Sequence, residues 1–363
     1  MLWALDAELN DEYDLCEGAE GFWRRQHAAA DWNIVAEKLT ARLKQQKSAR
    51  GDDSFSSTYR RDRLTDWLIM ALENADRKDE LIPLCEREAE ETGSYLRLVN
   101  YLKEAKRWQE AEEWIHKGIE ATQKRTPGIA DQLRTALREI REREQDWPRV
   151  AAFYAEDFFE RPSLPTFQAL QQAATKAAVW SPVRAAAMDY LETGALPQTL
   201  GTAKNTKQKT TPSWPLPDSG MHMASEHAQA PAPMIETLID LAIAEQRPDD
   251  VLRWYNQRKP QTASWTWGYG GSDDDKIAQA IVDLHPDRAI AIWKKMAEEL
   301  IAQANTKSYE SAATYLRKVL RVMKERKQAQ EWETYLAGVR QANARKRRLV
   351  EILDRLEKRR ILG

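Results

Sequence analysis

Cysteine is almost missing from this chain of 363 residues. Cys16 and Cys85 are the only two, and neither belongs to a CxxC or CxC pair. That spacing supports no disulfide framework, no zinc site and no dithiol redox motif, and it fits a reducing compartment. Glycine is also scarce, at 14 residues, and the Asn-Gly and Asp-Gly dipeptides of tight hairpins are nearly absent. An all-β fold is therefore not expected. No apolar run approaches the roughly 18 residues of a membrane span. The segment from Met1 to Glu20 holds seven acids and no Lys or Arg, the wrong sign for a signal peptide. These absences together predict a cytoplasmic protein without membrane contact.

What is present is helix-forming. Ala, Leu, Glu, Lys, Arg and Gln dominate, with 42% hydrophobic and 31% charged residues, a balance that builds both a core and a solvated surface. Apolar residues recur at i, i+3, i+4 and i+7, as in Tyr95, Leu98, Val99 and Leu102, in Leu64, Trp67, Leu68 and Ala71, and in Ile277, Ala280, Ile281 and Leu284. Paired anchors repeat at i and i+13: Leu68 and Leu81, Leu98 and Ala111, Leu137 and Val150, Leu170 and Val183, Leu238 and Val251, Ile277 and Ile290, Val319 and Trp332, with Phe22 and Val35 as a candidate eighth pair. That interval spans one short helix and a tight turn, which brings a second helix back antiparallel. One such hairpin cannot bury both faces, so neighbours must stack. The expected fold is all-α: a solenoid of stacked antiparallel helical hairpins, similar to tetratricopeptide or HEAT arrays but irregular. The irregularity lies in the unit-to-unit steps, because Leu68 to Leu98 is shorter than Leu137 to Leu170, and Leu98 to Leu137 is longer than either.

Two stretches interrupt the period. Residues 193–233 hold six prolines and read as a loop or linker, dividing an N-terminal array (1–192) from a C-terminal one (234–363). Residues 259–275 place Trp265, Trp267 and Tyr269 among turn residues. Aromatics concentrate binding energy at interfaces, which makes these three candidate partner anchors. The stripe tryptophans Trp67, Trp114, Trp254, Trp293 and Trp332 read as packing residues instead.

Five runs carry a family resemblance: residues 81–122 (LIPLCEREAEETG…), 146–170 (DWPRVAAFYAEDFFERPSLPTFQAL), 214–217 (WPLP), 238–255 (LIDLAIAEQRPDDVLRWY) and 346–356 (KRRLVEILDRL). In this order they resemble the helical C-terminal region of bacterial SWIM zinc-finger proteins. The resemblance implies helical architecture and no catalytic motif. The defining CxCx(n)CxH element, whose three thiolates and imidazole would hold zinc, is not in this sequence. The family's zinc binding and the contacts proposed for its finger are therefore not carried over. The chain is expected to be either a fragment of a longer protein or a stand-alone relative without the finger.

No residue pattern points to catalysis. His222, Glu226 and His227 do not form H-E-x-x-H, because the glutamate adjoins the second histidine. Gly268, Gly270 and Gly271 lack the spacing of a phosphate cradle, and the acids Asp273–Asp275 behind them are expected to cap the helix containing Ile277. No cofactor or metal is expected. The charged C-terminal end is the remaining signal. From Arg340 onward nine bases stand against three acids, a surplus of six, which leaves −8 on the rest of a chain of net charge −2. Arg345, Lys346, Arg347 and Arg348 open this segment, and Leu349, Ile352, Leu353 and Leu356 form an apolar stripe behind them. The sequence thus predicts a non-catalytic scaffold that binds another protein, with a nucleic-acid-associated module acting through the basic C-terminal helix as the alternative.

Overall fold

A computed structural model describes residues 1–9, 23, 27–46, 54–197, 214–219, 232–258 and 270–358. Among the described residues there are seventeen α-helices, one short 3-10 turn and no strand, so the all-α expectation is met. None of these helices is long and apolar enough to cross a membrane. The helices are α1 (Leu2–Leu9), α2 (Ala29–Gln45), α3 (Ser54–Asn74), α4 (Leu81–Thr92), α5 (Tyr95–Glu104), α6 (Trp108–Thr122), α7 (Pro127–Arg143), α8 (Trp147–Glu160), α9 (Leu164–Lys176), α10 (Trp180–Thr193), α11 (Ile235–Ala244), α12 (Pro248–Gln257), α13 (Gly270–Ile281), α14 (Pro286–Ala302), α15 (Thr306–Glu325), α16 (Ala329–Ala342) and α17 (Arg347–Lys358). The chain forms two compact units. One holds residues 1–154, 173–178 and 216–225; the other holds 155–172, 179–215 and 226–363.

Within the units, consecutive helices pack against each other, as in α2 with α3, α5 with α6 and α14 with α15, and the first helices of successive hairpins also touch, as in α5 with α7 and α11 with α13. This is the stacking that the recurring anchor spacing requires. All fourteen residues of the seven complete anchor pairs are buried. The eighth pair rests on Phe22, which lies outside the described residues.

The turn inside the hairpins is a repeated object. Lys106 adopts φ +60°, its N–H donates to Lys103 O at 3.0 Å, and the next N–H, of Arg107, donates to Leu102 O at 2.8 Å. This is a Schellman closure, which satisfies the last carbonyls of the first helix. Asp76, Gln145, Gln246 and Lys327 repeat both the positive φ and the paired bonds. Each stands at the same offset from its hairpin's first anchor. The residue that ends the closure stands immediately before the next helical element, and its side chain pairs three positions on. Arg77 bonds Glu80 at 2.6 Å, Asp146 bonds Arg149 at 2.9 Å, and Gln328 bonds Glu331 at 3.3 Å. Arg107 pairs with Glu110, and Arg247 with Asp250, in the same way. In the hairpin of α5 and α6 only the closure itself, residues 105–107, lies between the two helices, so their separation is fixed.

In the first unit, cation–π stacks join neighbouring hairpins. Trp108 and Trp147 each open a second helix, and each lies under a base from the end of the next first helix, Arg143 at 4.0 Å and Lys176 at 3.9 Å. Arg61 and Glu88 form a two-pronged ion pair between α3 and α4, at 2.6 and 2.9 Å, with side chains only 12% and 4% exposed. In the second unit Phe158, Phe159, Phe167, Tyr190 and Trp214 form a chain of edge and tilted ring contacts. Trp214 is thus packed into the fold from within the proline-rich 193–233 stretch.

Candidate interaction surface

The stripe tryptophans pack as their spacing implies. Trp254, Trp293 and Trp332 are buried, and Trp67 and Trp114 are half-buried against the core of the first unit. The acids before Ile277 do not cap its helix. That helix begins at Gly270, which places the acids inside it. Asp274 accepts from Arg258 at 2.6 Å. Asp275 accepts from Trp293 Nε1 at 2.8 Å and from Lys318 Nζ at 2.5 and 2.7 Å. The fully buried Trp293 thereby keeps its polar edge paired, and three helices meet on one carboxylate. Trp265, Trp267, Tyr269, His222, His227 and Cys16 lie outside the described residues.

The basic segment divides into bases with partners and bases without. The stripe Leu349, Ile352, Leu353 and Leu356 is buried, so α17 docks by its apolar face, against α15. Arg340 Nη2 donates to Asp354 at 2.6 Å and ties α16 to α17. Arg348 pairs with Glu351 at 2.9 Å. Lys346 Nζ donates to the carbonyl of Ile301 at 3.0 Å, near the end of α14, where a cation suits the negative end of the helix dipole. Arg345 and Arg347 are exposed.

Lys346 also stands at the end of a groove of about 430 Å³ between α14 and α16. One wall is Ile301 and Ala302. The other is Tyr335, Gly338 and Ala342, which fall at i, i+3 and i+7 on one face of α16. The groove exists because its floor is small. A Cβ built on Gly338 would meet nothing within 4 Å. At the far end Tyr335 Oη donates to Glu298 Oε1 at 3.1 Å, and the Lys294 ammonium sits 4.1 Å from the Tyr335 ring. Burial, with the Glu298 carboxylate beside it, holds the phenol well above its ordinary ionisation range, so it remains a donor. Chemically the groove offers an apolar trough with a cation at one end and a satisfied hydrogen-bond pair at the other.

Sequence reasoning reached Lys346 through its charge and missed the groove. The available signal was the small pair Gly338 and Ala342, at i and i+4 on a helix. Among the described residues, no three His, Cys, Asp or Glu side chains converge closely enough to hold a metal ion. The chain matches no protein-family model, no curated protein and no solved structure with which it was compared.

Proposed function

We propose that the chain is a non-catalytic, cytoplasmic scaffold for protein–protein interaction, the helical-repeat part of a SWIM zinc-finger-type protein. The observation that carries the reading is the groove between α14 and α16, a hollow left open by Gly338 beside buried Ile301 and Val339. Apolar concavities with a few placed polar groups are where helical surfaces take partner side chains. Affinity capture on the immobilised chain, with mass spectrometry of the retained proteins, tests it. A partner retained in stoichiometric amount and surviving added salt is expected. Retention no greater than on bare resin would remove the reading.

The exposed Arg345 and Arg347 favour a second reading, a weak nucleic-acid contact. Arg348 is paired within the fold, whereas Lys346 keeps two N–H donors beyond its bond to Ile301 O, so the described residues 345–348 offer about three phosphate contacts. The logarithm of duplex affinity should then fall against the logarithm of salt with a slope of about −3.

A further inference from the structure

We infer that the groove between α14 and α16 binds an acidic amphipathic helix of a partner protein, with apolar side chains over Gly338 and carboxylates at the Lys346 end. The inference rests on the scaffold reading and adds the chemistry of the occupant. The trough runs along α16 from Tyr335 past Gly338 to Ala342, roughly 10 Å at the helical rise. Two leucines one turn apart on a partner helix fit that length. Ala302, Gly338 and Ala342 allow the partner backbone to come close.

Charge selects the sign of the occupant. Lys346 uses one of its three N–H donors on Ile301 O, and two remain for a ligand. Arg345 and Arg347 adjoin it and are exposed. The first turn of α17 contains no acid, so the positive end of its dipole is unopposed there. The one carboxylate lining the groove, on Glu298, is engaged by the Tyr335 hydroxyl at the opposite end. A basic helix would find no counter-charge at the Lys346 end, whereas an acidic one would find three cations.

Fluorescence anisotropy with two labelled peptides tests this. Both carry leucines at helical spacing on an alanine background; one fills the remaining positions with glutamate and the other with lysine. The glutamate peptide should bind the full chain at least about tenfold more tightly. Gly338→Leu, which fills the hollow, should abolish that binding. Arg345→Gln with Arg347→Gln, which alters only exposed side chains, should weaken it and reduce its salt dependence. Circular dichroism of each variant verifies the fold. Equal affinity for the two peptides, no binding of the glutamate peptide, or indifference to both sets of substitutions would overturn the inference. So would sedimentation showing a wild-type dimer that Gly338→Leu dissociates, because the groove would then belong to a second copy. Capture of a protein partner by wild type and Gly338→Leu alike removes the groove assignment and leaves the scaffold reading standing; capture by neither removes the scaffold.

Discussion

Replacing glycine by alanine inside a helix should have opposite signs at two places in this protein. Gly118 lies in α6 and Gly338 in α16. In both, alanine gains about 1 kcal/mol of helix propensity. At Gly338 nothing stands within 4 Å of the new methyl, so that gain is retained and the protein should be stabilised by about 1 kcal/mol. At Gly118 the methyl would lie 2.6 Å from Leu133 Cδ1 and 2.9 Å from both Cβ and Cγ of Tyr95. Carbon atoms prefer roughly 3.5–4.0 Å. Leu133 is fully buried and has little room to rotate, and Tyr95 Cβ moves only with the backbone of α5. Overpacking of this kind costs typically about 1–3 kcal/mol, which outweighs the propensity gain and leaves a net loss of up to about 2 kcal/mol. Urea unfolding followed by far-UV circular dichroism reads both changes as midpoint shifts at constant slope. The Gly338→Ala midpoint should rise and the Gly118→Ala midpoint should fall. Shifts of the same sign would refute the claim that Gly118 is there to let α5 and α7 approach α6.

Three further outcomes follow from particular contacts. Glu88→Leu strands the Arg61 charge in a site 12% exposed and should destabilise by about 3–5 kcal/mol, whereas Arg61→Leu combined with Glu88→Leu should recover most of that loss; equal losses in the single and double variants would argue against the pair. Burial pushes the Cys85 thiol up to about 11. In the unfolded chain the thiol ionises near its ordinary value, so between about pH 9 and 11 the unfolded state binds fewer protons and stability falls as pH rises. In a Cys16→Ser background Cys85 should therefore react slowly with Ellman's reagent at pH 8, and rapid labelling of the folded chain would contradict its burial. Lys106→Val forces a β-branched residue into φ +60° and should cost about 1–2 kcal/mol in urea unfolding; no change would mean that the left-handed turn is not held in solution.

The buried framework was legible because burial imposes a period. Leu98 and Ala111, or Val319 and Trp332, had to be apolar to close a hairpin, and their spacing recorded it. The left-handed turn residues left no such mark. Asp76, Lys106, Gln145, Gln246 and Lys327 share a conformation but not a side chain, and none is the glycine that usually signals it. The trace was in their neighbours, where Arg77 and Glu80, Arg107 and Glu110, and Arg247 and Asp250 stand three apart. The charge surplus of the C-terminal end was also plain. Its division was not, because the bond from Lys346 to Ile301 O joins distant parts of the chain and depends on how α17 lies on its neighbours. The capping expected of Asp273–Asp275 misses the roles of Asp274 and Asp275 because their partners, Arg258, Trp293 and Lys318, come within reach only once the helices are assembled.

The closure shared by two helices also sets where the chain can change length. In the hairpin of α5 and α6, Arg107 ends the closure of one helix and stands directly before the next, so an extra residue there has no slack to occupy. It would rotate the following helix by about 100° and swing Ala111 and Ile115 out of the core. Between hairpins no such lock recurs among the described residues, and the steps from Leu68 to Leu98, from Leu137 to Leu170 and from Leu98 to Leu137 are already unequal. Insertions, deletions and duplications should therefore accumulate between hairpins and spare the five closures. The unit that such a chain can gain or lose is the hairpin, complete with its turn.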